Sequence, residues 1–388
     1  MSGGRPLRVT YLDHVGRVSG AEIALVRLIE AVGPELEATV ILAENGELVE
    51  RLGAAGARVE VLPLAEEVRG MSRREIRPGL RQAYGTAEVA RYTGRLRRRL
   101  RDLRPDLVHT TSLKASVYGM VAARAAGLPV LWHLHDRLAR DYLPRAVVPP
   151  MRLLAATAPS ALVAPSRFTL ETVGRRFRRG MVVAALPNAV PYPERAVEVR
   201  DEVETVTMIG RLTWWKGQHV FLEAFARAFP DRPVRARLVG AATFGEADYE
   251  RKLRERANRL GIADRVDFVG FVPDVSGEHE RADLLVHASV LADPLSTVVL
   301  EGMAAGVPVM ATDTGGHVEY LRDGRQGLLH RPGDIHGLAE VLRRASEDAE
   351  LRRRVAAGAR ERAQELTPAA VAERWMSLYR SLSAPPWA

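Results

Sequence analysis

The stretch LRVTYLDHVGRVSGAEIALVRLIEAV, residues 7–32, decides the fold. Residues 7–13 form an apolar run without clean alternation, which reads as a strand buried on both faces. A glycine-containing loop follows. From Gly20 onward Ile23, Leu25, Val26 and Ile29 supply the apolar face of a helix. Strand, short loop and helix in that order begin a βαβ series, the signature of a parallel sheet covered on both sides. The loop GRVSGAEIAL (16–25) is not G-x-G-x-x-G, so a nicotinamide fingerprint is absent.

The same unit repeats outward from this stretch. Further strands are expected at 37–42, 57–63, 106–110, 128–134 and 160–164, with helical patterns between them. Residues 187–203, PNAVPYPERAVEVRDEV, are proline-rich and charged and read as a linker. A second series then begins, with strands at 204–209, 234–239, 265–271, 283–288 and 307–311 and helices at 217–229, 247–260 and 297–305. The expected class is α/β, two doubly wound Rossmann-like domains with a ligand cleft between them at the carboxyl ends of the strands. The domain boundaries fall at 1–187, a linker at 188–203, and 204–367, with a final helix at about 368–384 packing back onto the first domain.

Composition removes several classes. A chain of 388 residues with 47% hydrophobic and 27% charged residues is ordinary for a globular protein of two domains. No run approaches the roughly 20 apolar residues that cross a bilayer. No signal-peptide core precedes residue 7, so the cytoplasm is the expected location. There is no cysteine, which excludes disulfides, thiolate nucleophiles and cysteine-ligated zinc. The net charge of +8 is uneven: residues 1–190 hold 29 Lys+Arg against 18 Asp+Glu, the remainder 27 against 30. The segment 69–104 concentrates arginine and reads as a surface for anionic lipid or an anionic acceptor. Tyr84 and Tyr92 are its only aromatic residues, too few for stacking single-stranded nucleic acid.

The residues suited to chemistry stand at strand ends. In MIGRLTWWKGQH (208–219) Arg211 and Lys216 lie five positions apart beside a helix start, which suits a diphosphate. Lys216 is one of three lysines in the chain. In DPLSTVVLEGMAAGVPV (293–309) Ser296 is an expected N-cap, a helix runs 297–305 and Gly306 closes it. Asp293 then lies in the loop and Glu301 inside the helix, so the two do not form a proton-relay pair. A Gly-Gly turn in DTGGHVEY (313–320) offers another backbone-rich site. In LPVLWHLHDRL (128–138) His133 and His135 share one side of a strand, without a third residue at metal-ligand spacing.

Together these motifs resemble the retaining glycosyltransferases of family 4, which have the two-Rossmann GT-B fold. The resemblance rests on Ser19-Gly20-Ala21-Glu22, HD at 135–136, PNAV at 187–190 and GRL…KG at 210–217. It continues through VGFV at 269–272, the carboxylate stretch and TGGHVEYL at 314–321. It implies a hexosyltransferase in which the first domain binds the acceptor and the second a nucleotide sugar, UDP-linked or GDP-linked. Arg211 and Lys216 would neutralise the diphosphate, with Gly20 and Gly210 at its approach. Backbone N–H groups near Ser296 and Thr297 would hold the phosphate, Leu295 would also meet the donor, and Glu301 would hold the ribose hydroxyls. Gly270 to Val272 would lie by the base, Asp293 would contact the sugar, and His135 would face the reacting centre. No metal or other cofactor is implied, and no nucleic-acid partner.

The pattern departs from the family where Asp293 replaces Glu and Leu295-Ser296 replace Phe-Gly. A pseudo-glycosyltransferase or nucleotide-sugar epimerase on the same fold would keep Arg211, Lys216 and Glu301. A non-catalytic nucleic-acid or membrane-binding protein using 69–104 would need none of them.

Overall fold

The computed structural model describes residues 5–66, 80–242 and 246–383. The chain divides into two compact units. One comprises Met1–Ala189 with Pro368–Ala388, the other Val190–Thr367.

The first unit is built on a parallel sheet of β1 (Leu7–Asp13), β2 (Leu36–Leu42), β3 (Arg58–Val61), β4 (Leu107–Thr110), β5 (Val130–His133), β6 (Ala161–Ala164) and β7 (Val182–Ala185). Its order is β3-β2-β1-β4-β5-β6-β7, so the winding reverses between β1 and β4. Successive residues of β1 feed opposite layers. Tyr11 packs with Leu25, Ile29, Trp375 and Tyr379, and Leu12 with Leu96, Leu100 and Trp132. That is why β1 reads as apolar without alternation.

The last helix, Pro368–Ser383, belongs to this unit. Its Trp375 and Tyr379 are fully buried. The Tyr379 hydroxyl lies 3.1 Å from that of Tyr11 and 2.8 Å from His109 Nδ1, and Trp375 stacks on the His109 ring at 5.3 Å.

The arginine-rich segment forms the helix Leu80–Leu103, and its residues 69–79 lie outside the described residues. Tyr92, Leu96 and Leu100 bury one side of it. Arg99 grips the Glu60 carboxylate with two bonds, and Arg91 pairs with Glu88 at 3.0 Å. Part of this positive charge is therefore already matched within the unit.

The second unit repeats the plan with β8 (Thr205–Ile209), β9 (Arg235–Val239), β10 (Val266–Gly270), β11 (Leu284–His287), β12 (Val309–Thr312) and β13 (Leu328–His330). The order is β10-β9-β8-β11-β12-β13, all parallel, with the reversal between β8 and β11. One apolar layer contains Met208, Phe221, Phe225 and Val286; the other contains Leu285, Val299, Leu300 and Met303. Strands reversing direction of winding leave their carboxyl ends uncovered at that point, where open α/β sheets bind ligands. The segments leaving β8 and β11 are those carrying Arg211, Lys216 and Asp293.

Candidate active site

Leaving β8, the chain passes Gly210 and Arg211 into a single 3-10 turn, Trp214–Lys216, and then the helix Gln218–Ala228. Gly217 between them has φ +80°, and a Cβ there would sit 1.9 Å from the Ala288 carbonyl oxygen. Only glycine lets this loop lie so close to the end of β11. The contact is reinforced by Val290 N–H donating to the Trp215 carbonyl at 2.8 Å, and by the Gln218 amide donating to the Arg211 carbonyl at 2.9 Å.

This close approach delivers Lys216 to Asp293. Lys216 Nζ donates to Asp293 Oδ1 at 2.8 Å; Asp293 Oδ2 lies 2.6 Å from His287 Nε2 and accepts from the Ser289 hydroxyl at 2.9 Å. Asp293 is 4% exposed. Burial alone would raise its carboxyl, yet the charge of Lys216 and the bond from His287 hold it far below the ordinary carboxylate range. The other imidazole nitrogen, His287 Nδ1, lies 3.3 Å from the Thr312 hydroxyl, and the ring meets His317 edge-on at 4.6 Å. Burial first, and then His287, lower His317 to about 3. The backbone of Asp293 is fixed as well. Its carbonyl accepts from Gly316 N–H at 3.0 Å, and Gly315, at φ +109°, would place a Cβ 2.8 Å from that same oxygen.

The helix Thr297–Ala305 begins four residues later and ends at Gly306 in the left-handed conformation. Ser296 occupies the N-cap position, but its side chain makes no cap bond. The N–H groups of the first turn have no intrahelical acceptors, and they carry the positive end of the helix dipole. Glu301 is buried at 8% exposure inside this helix, with Oε2 3.8 Å from His279 Nε2. Leu295 packs into the core beside Val299, Leu300 and Met303. Gly210 follows β8 and Gly270 ends β10, on either side of Gly240, whose N–H donates to the Gly270 carbonyl at 2.8 Å. Val272 is half-buried next to the exposed Phe271.

Lys216 and Asp293 thus meet directly, Arg211 and Thr297 leave neighbouring strand ends, and Glu301 has a separate environment. His135 and Gly20 belong to the first unit. His135 follows β5, its ring 3.8 Å from that of His133, and burial lowers it to about 4, so the imidazole is neutral at pH 7. Gly20 opens the helix Gly20–Val32, and among the described residues nothing beyond its chain neighbours and its own helix lies within 4 Å of where its Cβ would be. Beside them, Glu22 is bonded by the Ser19 hydroxyl and raised to about 7 by burial and the charge of Asp13. His287, Ser289 and Trp215 were not singled out from the sequence. Their signal was position: each stands at the carboxyl end of a strand or in the loop after it.

Comparison with known proteins matches two family models in succession. Residues 46–191 match Glycosyltransferase Family 4, and residues 194–362 match Glycosyl transferases group 1. The chain belongs to the family-4-like glycosyltransferases. A D-inositol 3-phosphate glycosyltransferase of Nocardioides is 27% identical over 87% of this chain and 84% of its own length. An exopolysaccharide phosphotransferase of Streptomyces coelicolor is 33% identical over 59% of this chain. The matches span only 24% and 48% of the first two curated relatives' own lengths. Among solved structures, Anabaena HepE in complex with UDP and glucose superposes with a TM-score of 0.80. It is 26% identical, over 97% of this chain and all of that one. The two Rossmann-like domains expected from the strand pattern are found, and the fold is the GT-B fold that the resemblance implied. Among the described residues no helix is long and apolar enough to cross a membrane.

Proposed function

We propose that this glycosyltransferase moves a sugar from a nucleoside-diphosphate sugar to a hydroxyl acceptor, with retention of configuration and without a metal ion. The observation that carries the reading is Lys216, fixed at the switch point of the second sheet by buried Asp293 beside Arg211 and a helix N-terminus. A UDP-linked donor is favoured by the likeness to HepE, which binds UDP and UDP-glucose. The acceptor is a hydroxyl of a glycan, a lipid-linked sugar or a natural product. A lipid-linked acceptor would be met through the arginine-rich sequence 69–104.

In this reading Arg211, Lys216 and the first-turn N–H groups at Ser296 and Thr297 face the donor diphosphate. Negative charge grows on the β-phosphate as the bond to the sugar breaks, so fixed positive groups stabilise the transition state more than the ground state. That supplies what a metal ion would otherwise provide. Glu301 takes the ribose hydroxyls, Gly270 to Val272 flank the base, and neutral His135 accepts or donates a hydrogen bond at the sugar. Asp293, with both oxygens engaged, acts chiefly by fixing Lys216. Retention by attack on the face the leaving group vacates requires no enzyme nucleophile.

A thermal-shift panel of nucleoside diphosphates, followed by product mass with the hit, tests the proposal. UDP should raise the melting temperature, and turnover should survive EDTA. Lys216→Ala should lower turnover by roughly 10²-fold or more, the scale of removing one charge-stabilising donor. A panel without any stabilising nucleotide, or a near-normal rate for Lys216→Ala, refutes it.

A further inference from the structure

Arg211 and Lys216 share a neighbour that the transfer chemistry does not use. Lys216 Nζ lies 4.3 Å from the centroid of the Trp215 indole, and Arg211 Cζ lies 6.0 Å from the same centroid. Both distances fall within reach of the ring's negative π face. The preceding residue, Trp214, has a different environment at 58% exposure, whereas Trp215 is half-buried. Its carbonyl is bonded to Val290, so the ring is carried on backbone anchored to the end of β11. The backbone that carries the indole is therefore anchored, and two cations converge on the ring.

Two like charges aimed at one place repel each other until an anion arrives. Lys216 in addition is tethered by Asp293 at 2.8 Å. An aromatic face attracts cations without a formal charge, so it can collect both without neutralising either. We propose that Trp215 is a positioning residue for the donor diphosphate: its indole aligns Arg211 with Lys216 before the nucleotide binds. The inference rests on Arg211 and Lys216 being diphosphate ligands.

The test is calorimetric titration of UDP and UMP into wild type, Trp215→Phe and Trp215→Leu, each with its melting temperature recorded. Removing a partly desolvated cation–π contact should cost Trp215→Leu about tenfold in UDP affinity, with a smaller loss for UMP. Trp215→Phe, which keeps a π face, should recover most of it. Fluorination drains the π face while preserving shape, which a packing role would not register. Replacing all five tryptophans with a polyfluorinated analogue should therefore weaken UDP binding in the wild type. The same labelling should leave Trp215→Phe unchanged. Wild-type UDP affinity in Trp215→Leu, or no effect of fluorination, overturns this inference alone. A wild type that binds no nucleoside diphosphate overturns it together with the proposed function.

Discussion

Asp293→Asn changes one oxygen of a buried carboxylate into an amide nitrogen, and the structure sets the consequence. The carboxylate receives Lys216 on one oxygen and His287 and Ser289 on the other. An amide has one oxygen to offer and must turn its N–H groups toward a donor, whichever way it is placed. The Lys216 side chain is 20% exposed and loses its counter-charge. Removing one partner of such a buried pair costs about 3–5 kcal/mol. For a unit of this size that lowers the melting temperature by roughly 6–20 °C, at 2–4 °C per kcal/mol. Nucleotide affinity should fall with it. With Asp293 gone, Lys216 is no longer held at the switch point, so UDP should bind more weakly and should raise the variant's melting temperature less than the wild type's. Scanning calorimetry at pH 7 in 0.15 M salt, with and without UDP, reads both effects. The pair Lys216→Met with Asp293→Leu, which removes both charges, should recover part of the stability, the remainder being the acceptor lost to His287 and Ser289. A single Asp293→Asn variant melting within about 1 °C of the wild type would show that the pair does not fix this loop.

Two further outcomes follow from the geometry. Gly217→Ala should destabilise the second unit by more than about 2 kcal/mol. The left-handed backbone alone costs about 1–2 kcal/mol, and the new Cβ would meet the Ala288 carbonyl at 1.9 Å. Turnover should fall with it, and a Gly217→Ala variant of full stability, by calorimetry, would contradict the close approach. Glu22 gives a pH dependence. Its folded carboxyl holds a proton to about 7, whereas the unfolded one releases it near 4.5. Stability is therefore present in full below pH 4.5 and falls as pH rises to 7, by up to about 3 kcal/mol. Glu22→Gln should remove that fall. His135, at about 4, and His317, at about 3, act with opposite sign: each remains neutral when folded, and stability drops as pH falls below 6.5. Melting curves from pH 4 to 8 separate the two, and an unchanged slope in Glu22→Gln between pH 5 and 7 would refute the assignment.

Local pattern was enough for the sequence to determine the βα series, the helix 297–305 and the placing of Arg211, Lys216, Asp293 and Glu301 at strand ends or in the helix beyond. Periodicity, a stop at Gly306 and glycines after strands are all properties of a few adjacent residues. β7 and β13 escaped that reading. They are four and three residues long and are strands because β6 and β12 offer them edges. Side-chain direction in the loop 293–296 escaped it too. The Leu295 side chain packs into the core, and Ser296 stands at the N-cap without a side-chain bond there. Above all, nothing local pairs Lys216 with Asp293, which lie 77 positions apart, or turns the Trp215 ring onto two cations. That was decided by β8 lying beside β11 and by a glycine small enough to let their loops touch. Residue types and spacing name the charges; only packing decides which of them meet.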